Sequence, residues 1–412
     1  MNTNIFVLFK SLHLNLWAYL LILCYYLCEI LLLVEIMKKE KIYDIVVVGA
    51  GIAGCCSAYF LKKKGLSVLL VDRSGVSSTG GSSAAGAFVS PKIGKGSQLQ
   101  QLTNKAFEFA KDFYINNFPK YFYQTGIIRM PKDNSDAKKF IEYNKFNSSK
   151  KEWIDREELA KYNIKEDNRS FLFKEAGVCD APNMCKNIIK DIEYRQYLVE
   201  KLIYKDDYWQ LGKIKAKKVI LSTGYENSLF DMRYMGVKGT WGSRGDYKSS
   251  LDLKVSMHKK ISISANINGI IKVGATHVKS KEPCIICNGE PLKELETIAS
   301  NMVNSKDFKL KETFCGMRSG SKDYFPLVGG VIDVPFMLKN YPKILKGAKP
   351  PIKKIDNLYI CNGLGGRGFV FAPLMAKILA NYIVDNIEID SRVNPNRLFL
   401  KWCRKSSDLD RN

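Results

Sequence analysis

YDIVVVGAGIAGCCSAYFLKKKGLSVLLVDR, residues 43 to 73, decides the fold of this chain. An apolar strand leads into the glycines Gly49, Gly51 and Gly54, and a helical pattern then leads into a second strand that ends at Asp72. This arrangement predicts a βαβ unit that binds a dinucleotide, with the pyrophosphate at the N-terminus of the helix. Gly49 permits the tight turn, Gly51 leaves room for the pyrophosphate, and Gly54 lets helix and strand pack closely. The Asp72 carboxylate is placed to accept hydrogen bonds from both ribose hydroxyls.

Three later glycine-rich runs favour FAD over a nicotinamide cofactor. Residues 80–91, GGSSAAGAFVSP, suit backbone contacts with the pyrophosphate and ribityl chain of an extended flavin. Residues 219–224, VILSTG, read as a strand closing on Thr-Gly, and residues 357–368, NLYICNGLGGRG, lead into a helix whose N-terminus would stabilise negative charge on the flavin ring. The predicted cofactor-binding residues are Gly49, Ala50, Gly51, Ile52, Ala53, Gly54, Asp72, Arg73, Ser82, Ser83, Ala84, Gly86, Ala87, Thr223, Gly224, Gly363, Gly365, Gly366, Arg367, Gly368 and Phe369.

The order of these motifs resembles the D-amino acid oxidase and glycine oxidase family of flavoproteins, across about residues 43 to 405. Two further runs carry the resemblance: AGVCDAPNMC at 176–185 and CGMRSGSKDYFPLVG at 315–329. Together with LGGRG at 364–368 and NPNRL at 394–398, the latter run is similar to the flavin half of the bifunctional tRNA 5-methylaminomethyl-2-thiouridine biosynthesis enzymes. The resemblance implies an α/β fold, in which a Rossmann-like, glutathione-reductase-type FAD-binding domain is interleaved with an α+β substrate domain carrying an antiparallel sheet.

The narrower resemblance implies an enzyme that removes the carboxymethyl group from 5-carboxymethylaminomethyl-(2-thio)uridine at the tRNA wobble position. A secondary amine next to a methylene can give a hydride to the flavin, and the resulting imine hydrolyses to glyoxylate and a primary amine. The alternatives are an oxidase or dehydrogenase of free glycine, sarcosine or D-amino acids, and a tRNA-binding flavoprotein without turnover. The resembled enzymes carry a methyltransferase half, for which the chain has no room upstream of Tyr43. We therefore expect a separate methyltransferase to act downstream.

Three residues are candidates for binding the substrate. Arg318 stands at the family's carboxylate-binding position, so the resemblance implies a catalytic and substrate-binding role; its alternative is a structural pair with an acid such as Asp323. Arg244 either contacts phosphate or braces a sheet. His277, at a predicted strand end, is more typical of a structural histidine than of a catalytic base.

The domains are expected to interleave along the chain. Residues 106–172 read as mainly helical and polar, and alternating segments after Gly242 predict the antiparallel sheet. A hydrophobic segment is predicted at the N-terminus, at 1–36. The FAD-binding domain is predicted in three parts, at 43–105, 173–236 and 313–405, and the last part includes a basic insertion at 332–356. The substrate domain is predicted in two parts, at 106–172 and 237–312.

The hydrophobic run at residues 14–36 has three interpretations. It is long enough to cross a bilayer, although Glu29 and Glu35 interrupt it. It is otherwise a buried helix, or it lies upstream of a true start at Met37, which runs directly into the first strand. Membrane contact through this run is expected only if it is translated. As an anchor it would leave the rest of the chain on the cytoplasmic side, so we expect a cytoplasmic protein.

The composition indicates a globular, basic protein. The chain has 412 residues, of which 46% are hydrophobic, and this excludes a disordered or fibrous class. The net charge of +23 suits an anionic partner such as nucleic acid, and equally a self-repelling solvated surface. The basic stretch 338–354, LKNYPKILKGAKPPIKK, is either a loop that grips tRNA phosphates or a solvated loop. With three histidines and one isolated CxxC, Cys284 to Cys287, no metal site is expected.

Overall fold

The computed structural model describes residues 23–27, 41–226, 228–279 and 289–405. Residues 23–27 are helical, and the rest of the hydrophobic run at 14–36 lies outside the described residues. The described residues form two units: a small one with those up to 42 together with 213–215, and a large one with the remainder. The candidate site belongs to the large unit.

Helices and strands alternate along much of the described chain. The helices are α1 (Ile52–Lys63), α2 (Gly80–Ser83), α3 (Gln98–Asn117), α4 (Asn134–Lys145), α5 (Arg156–Lys161), α6 (Ala181–Ile188), α7 (Glu290–Ser300), α8 (Val334–Asn340), α9 (Gly368–Asp385) and α10 (Asn396–Lys405), with 3-10 turns at Pro119–Tyr121, Arg233–Met235, Pro342–Lys346 and Gly365–Arg367. The strands are β1 (Ile42–Val48), β2 (Val68–Asp72), β3 (Phe88–Val89), β4 (Phe122–Tyr123), β5 (Ile127–Arg129), β6 (Glu152–Ile154), β7 (Ser170–Phe173), β8 (Gly177–Cys179), β9 (Glu193–Gln196), β10 (Ile203–Lys205), β11 (Tyr208–Leu211), β12 (Ile214–Leu221), β13 (Lys238–Lys248), β14 (Ser256–His258), β15 (Ser262–Ile263), β16 (Ile270–Gly274), β17 (Lys309–Gly320), β18 (Leu327–Ile332) and β19 (Lys354–Asn362).

The first sheet is the Rossmann-like sheet that the sequence predicted. Its strand order is β10-β11-β12-β1-β2-β9, and β19 pairs with both β12 and β18. The pairs β1–β2, β2–β9 and β12–β19 are parallel. The middle parts of β1 and β2 are apolar because elements cover both faces: residues 45–47 and 69–71 are fully buried. The predicted α/β fold class is confirmed.

The second sheet is the predicted antiparallel sheet of the substrate domain. Its order is β17-β13-β16-β15-β14-β5-β7-β6. Most of its pairings are antiparallel, including the long β13–β17 pair, while β5 and β14 run parallel. Residues 106–172, expected to be mainly helical, also contribute β4, β5, β6 and part of β7. These strands are short, between two and four residues, and a run of that length, such as the buried SFLF at 170–173, has no periodicity that separates strand from helix.

The predicted domain boundaries fall partly inside elements. The boundary at 312/313 lies within β17, which belongs to the second sheet over its whole length, and the boundary at 172/173 lies within β7. The boundary at 105/106 lies within α3. The division of the chain into FAD-binding and substrate segments stays a prediction.

The apolar helix α9 follows β19 and lies in the main core. Among the described helices, the stretch Gly365–Asp385 has the length and composition of a membrane span, but more than half of it is buried within the protein. The hydroxyl of Tyr114 on α3 donates to the carbonyl of Phe369 at 2.9 Å, and both residues are buried. These contacts make α9 a core helix whose N-terminus is held at a defined position.

Candidate active site

The turn after β1 has no room for side chains. Gly49 has a φ of +104°, and a Cβ there would collide with the backbone oxygen of Ser222. A Cβ at Gly54 would collide with the backbone oxygen of Gly49. The amide of Gly49 donates to the carbonyl of Val71, and the amide of Ser222 donates to the carbonyl of Val48, both at 2.8 Å. The ends of β1, β2 and β12 therefore meet at one tight turn.

The N-terminus of α1 opens onto a narrow space. The helix begins at Ile52 and continues through Ala53 and Gly54, while its N-cap residue Gly51 supplies no side-chain cap. The Oγ of Ser82 accepts a hydrogen bond from the amide of Ile52 at 3.0 Å, and a Cβ at Gly51 would lie 3.0 Å from that Oγ. First-turn amides facing a space that only glycine keeps open fit the pyrophosphate of FAD.

Asp72 ends β2 and closes the turn. Its Oδ2 accepts from the amide of Ala50 and its Oδ1 accepts from the amide of Ser74, each at 2.8 Å. The neighbouring Arg73 makes two contacts of 2.8 and 2.6 Å with the carboxylate of Glu226 at the surface. The backbone donors fix the position of the Asp72 carboxylate, while contacts of Asp72 and Arg73 with the cofactor stay predictions.

The small-residue run after β2 contains the short helix α2 and then β3. Ser82 points to the start of α1, whereas the Oγ of Ser83 donates at 3.0 Å to a carbonyl within α2. Ala84 caps α2 and is buried, as is Ala87, which has a φ of +55°. Gly86 lies between them, where a Cβ would collide with the ring of Phe88. Within this run, the side chain of Ser82 contacts the start of α1, where the pyrophosphate is expected.

Asn362, which sequence reasoning did not single out, joins three parts of the site. It is buried, with 4% of its surface exposed. Its Nδ2 donates to the carbonyl of Gly224 at 2.7 Å, and its Oδ1 accepts from the hydroxyl of Ser319 at 2.7 Å and from the amide of Gly363 at 2.8 Å. Thr223 precedes Gly224, and its hydroxyl bonds within its own turn. The available signal was one polar residue directly after the apolar run at 358–361, at the end of β19.

The glycine turn before α9 brings that helix to the pyrophosphate turn. Gly363 and Gly365 have φ values of +70° and +58°, which side chains rarely adopt. A 3-10 turn over Gly365–Arg367 leads into α9 at Gly368, where a Cβ would lie 3.3 Å from the Cγ2 of Ile52. The N-termini of α1 and α9 therefore approach each other, as expected if both face one cofactor.

Arg318 lies on β17 beside the same glycine turn. A Cβ at Gly366 would lie 3.7 Å from the Cδ of Arg318, and a Cβ at Gly242 on β13 would overlap the guanidinium. The Nη1 of Arg318 donates to the carbonyl of Thr276 at 3.1 Å. Among the described residues, Arg318 pairs with no carboxylate, and burial lowers the pKa of the guanidinium. Its Nε and Nη2 face no described acceptor, so the guanidinium can receive an anion.

His277 is adjacent to Arg318. Its Nδ1 lies 3.1 Å from the Nη1 of Arg318. Burial and the neighbouring guanidinium lower the pKa of the imidazole, so the ring is neutral near pH 7 and its Nδ1 can accept from Arg318. The structure thus brings two of the three predicted substrate-binding residues together.

Asp323, the acid named in the alternative interpretation of Arg318, pairs with Arg397 instead. The Nε and Nη2 of Arg397 lie 2.8 and 2.9 Å from the Asp323 carboxylate, and Nη2 also donates to the carbonyl of Phe325 at 3.0 Å. The run NPNR at 394–397 therefore supplies a structural arginine. This pairing leaves Arg318 without its alternative role.

Arg244 lies within β13 and not at the edge of the substrate sheet. It is 4% exposed, and its Nε lies 2.9 Å from the carboxylate of Asp246. Its Nη1 donates to the carbonyl of Ala85, and its guanidinium lies 4.0 Å from the ring centre of Phe314. These contacts favour the bracing role over a contact with phosphate.

Within the described residues, no group of three His, Cys, Asp or Glu side chains is placed to hold a metal ion. Cys284 and Cys287 lie outside those residues.

A protein family model matches most of the chain. Residues 44–382 match the DAO family model, described as FAD dependent oxidoreductase. The chain belongs to this family. Its cofactor is accordingly FAD, and it is an oxidoreductase acting on the C–N bonds of amines or amino acids. The glycine turns, the Ser82 contact and the two approaching helix N-termini fit that cofactor.

Curated relatives and solved structures agree with this placement. The chain is 24% identical to the tRNA 5-methylaminomethyl-2-thiouridine biosynthesis bifunctional protein MnmC of Legionella pneumophila, over 89% of this chain and 58% of the relative. The Campylobacter fetus protein of the same name is 23% identical, over 89% of this chain and 61% of the relative. The chain thus spans about three fifths of the length of these relatives.

Two solved structures show the fold. Glycine oxidase from Bacillus cereus has a TM-score of 0.71 at 17% identity, covering 84% of this chain and 96% of that structure. L-proline dehydrogenase from P. horikoshii has a TM-score of 0.70 at 17% identity, covering 87% of this chain and 98% of that structure.

Proposed function

We propose that the protein oxidatively removes the carboxymethyl group from 5-carboxymethylaminomethyl-(2-thio)uridine at the tRNA wobble position. The products are 5-aminomethyl-(2-thio)uridine and glyoxylate. The observation that carries the proposal is the guanidinium of Arg318, which lies beside the glycine turn at Gly366 and pairs with no described carboxylate. The substrate has a carboxylate one methylene from the amine that is oxidised, so such a cation would fix both.

The reaction balances without a further group from the chain. The methylene between amine and carboxylate loses a hydride and the amine nitrogen loses a proton, which leaves a C=N double bond. FAD supplies the two-electron acceptor. Water then adds to the imine carbon, and the C–N bond breaks to release glyoxylate and the primary amine on the nucleoside. Arg318 binds the carboxylate through the whole sequence, and Thr276 and His277 hold Arg318 through its Nη1.

The relatives support tRNA as the substrate. Their name assigns them to tRNA 5-methylaminomethyl-2-thiouridine biosynthesis, and they match over 89% of this chain. The proposed product still lacks a methyl group, so we assign methylation to a separate methyltransferase acting downstream. A cytoplasmic location is part of the proposal, because tRNA is modified there. Membrane contact through residues 14–36 is not needed for it.

The basic stretch 338–354 offers a contact for tRNA. It contains the C-terminal end of α8 and the 3-10 turn Pro342–Lys346, so it has regular structure over part of its length. Lys343 and Lys346 are exposed, whereas Lys353 lies 3.0 Å from Asp356 and Lys354 lies 2.9 Å from the hydroxyl of Tyr382. We therefore assign phosphate contacts to Lys343 and Lys346.

Flavin absorbance under anaerobic conditions tests the proposal. The purified yellow protein is mixed with tRNA bearing the carboxymethylaminomethyl group, and separately with glycine, sarcosine and D-alanine. Bleaching by the modified tRNA, with no bleaching by the same tRNA lacking the group, is the expected result. Bleaching by the free amino acids alone would overturn the tRNA assignment. No bleaching by any of them would favour a binding protein without turnover.

The second candidate function is oxidation of free glycine, sarcosine or a D-amino acid. Its support is the fold shared with glycine oxidase and the Arg318 site, which would bind the carboxylate of any of these compounds equally well. A membrane anchor at residues 14–36 would favour this candidate, since a membrane-bound dehydrogenase can deliver electrons to quinone.

A further inference from the structure

Three cationic side chains, Lys92, Arg129 and Arg367, lie near the imidazole of His258 on elements that adjoin the Arg318 site. We call these four residues the cation cluster. Burial and the neighbouring arginines lower the pKa of His258, so its imidazole is neutral near pH 7 and can contribute a hydrogen bond but no charge. Arg367 is also one of the predicted cofactor-binding residues. Arg129 ends β5 and His258 ends β14, and the two are partners in the parallel pairing of these strands. The amide of Met130 also donates to the carbonyl of His258 at 2.9 Å. Side chains at paired positions of neighbouring strands lie on the same face of the sheet.

The other two members come from the flavin side of the site. The Nη1 of Arg367 donates to the carbonyl of Ser90 at 3.3 Å, and Lys92 follows two residues later. Repulsion from Arg367 contributes to the lowered pKa values of Arg129, Lys92 and His258, after burial, which is the larger cause. The four groups therefore lie within electrostatic range of one another.

The cluster has cations without matching anions. Burial lowers the pKa of Arg129 to about 9 and that of Arg367 to about 10. The Nε of Arg129 is buried and has no hydrogen-bond partner in the described part of the chain. The acid that acts on Arg129 is Asp136, whose Oδ2 accepts from the amide of Lys132 at 3.0 Å. A buried guanidinium nitrogen that lacks a hydrogen-bond partner is costly unless an acceptor joins it.

The cluster is next to the carboxylate site. Arg367 directly follows Gly366, which lies against the Cδ of Arg318. On the other side, His277 contributes to the lowered pKa of His258 and itself contacts Arg318. A substrate bound at Arg318 can therefore extend to the cluster.

We propose that the cation cluster is a second anion-binding subsite, which takes a phosphate group of the tRNA next to the nucleotide that is oxidised. This inference rests on the proposed function. The substrate carboxylate is bound by a single guanidinium, that of Arg318. The other anionic groups of a modified tRNA are its phosphodiesters. Glycine, sarcosine and D-alanine have no second anion, so the cluster favours a nucleotide over a free amino acid.

The first test needs no turnover. The FAD-loaded enzyme is titrated with inorganic phosphate at constant ionic strength, with chloride as the balancing anion, and the flavin spectrum is recorded. We expect a saturable change that Arg129→Gln weakens by roughly tenfold to a hundredfold. Arg169→Gln, which removes an arginine stacked on Trp153 outside the cluster, should leave it unchanged. No saturable response, or equal responses in Arg129→Gln and wild type, would overturn the subsite.

The second test identifies the source of the phosphate. KM and kcat are measured for an anticodon stem–loop carrying the modified nucleotide and for the free modified nucleoside. Arg129→Gln should raise KM for the stem–loop by roughly tenfold or more and leave KM for the nucleoside unchanged. Equal effects on both would contradict a phosphate contact. Phosphate binding that depends on Arg129, with no oxidation of the wild-type stem–loop, would retain the subsite and overturn the proposed function.

Discussion

Replacing Arg318 by Gln should abolish carboxylate binding while leaving the FAD site intact. The Nη1 of Arg318 is occupied by Thr276 and His277, each at 3.1 Å, so Nε and Nη2 remain for the substrate. Two charge-assisted hydrogen bonds in a partly buried site contribute about 3–5 kcal/mol together. At about 1.4 kcal/mol per factor of ten, this predicts a loss of roughly 10²-fold to a few thousand-fold in kcat/KM.

The assay is the rate of flavin reduction against substrate concentration, for wild type and variant with equal flavin content. Arg318→Lys keeps the positive charge but loses the planar guanidinium, so its kcat/KM should lie between those of wild type and Arg318→Gln. A value for Arg318→Gln within about threefold of wild type would refute the assignment, because it is below the smallest effect of a charge-assisted hydrogen bond.

Gly242→Ala provides an independent change at the same place. The added Cβ would overlap the guanidinium of Arg318, so it should displace that group without altering any charge. Gly320→Ala on β17 is the matched control, since its Cβ would meet Gly365 at an ordinary 3.9 Å. We expect Gly242→Ala to raise KM for carboxylate substrates and Gly320→Ala to leave it unchanged. Equal effects of the two changes would contradict the proposed position of Arg318.

Three further changes test other parts of the site. Asp72→Ala removes the acceptor that fixes the pyrophosphate turn and should weaken FAD binding about tenfold or more, measured by flavin retention on dialysis. Changing Lys343 and Lys346 together to Gln should weaken tRNA binding and flatten its dependence on salt, measured by filter binding over a salt series. Arg397→Gln should lower the free energy of unfolding by about 1–3 kcal/mol at pH 7, measured by urea denaturation. Burial raises the pKa of Asp323, but the contacts with Arg397 outweigh burial, so the pKa in the folded protein is below its usual value. The difference in unfolding free energy between wild type and Arg397→Gln should therefore be present above the pKa of Asp323 in the unfolded chain, and it should disappear as the pH falls through the pKa in the folded protein.

The controls for these changes come from the same chain. For the lysine pair, changing Lys353 and Lys354 to Gln removes the same charge from side chains that already bind within the protein. Equal loss of tRNA binding in both pairs would indicate a general effect of charge. A pH-independent effect of Arg397→Gln would show that its contact with Asp323 does not carry the loss of stability.

The glycine turn of the candidate FAD site was predictable because most of its residues lie in one short stretch of sequence. Gly49 is required by a turn with a φ of +104° and Gly54 by its close approach to Gly49, while Gly51 leaves space beside the more distant Ser82. Asp72 ends the strand that follows. A single stretch of sequence therefore contains most of the geometry. Asn362 was missed because its three partners come from distant strands, and its sequence shows only a polar residue after an apolar run.

Side chains that meet across the second sheet were harder to predict. Arg129 and His258 become neighbours only through the pairing of β5 with β14, and neither lies in a recognisable motif. The pairing of Asp323 with Arg397 likewise joins two motifs that sequence reasoning kept separate. The sequence left two roles open for Arg244, and the 11-residue length of β13 places it inside the strand, where it is a buried brace. Register and strand length depend on tertiary packing, which short windows do not contain.

Single-turnover analysis of a defined tRNA is the most direct test of the proposed oxidation of 5-carboxymethylaminomethyl-2-thiouridine. The FAD-loaded protein is mixed anaerobically with less than one equivalent of tRNA bearing 5-carboxymethylaminomethyl-2-thiouridine, and the quenched products are analysed by mass spectrometry. The proposed function predicts one glyoxylate and one 5-aminomethyl-2-thiouridine for each flavin reduced. Flavin reduction without glyoxylate, or unchanged nucleoside in a preparation that oxidises glycine, would contradict it.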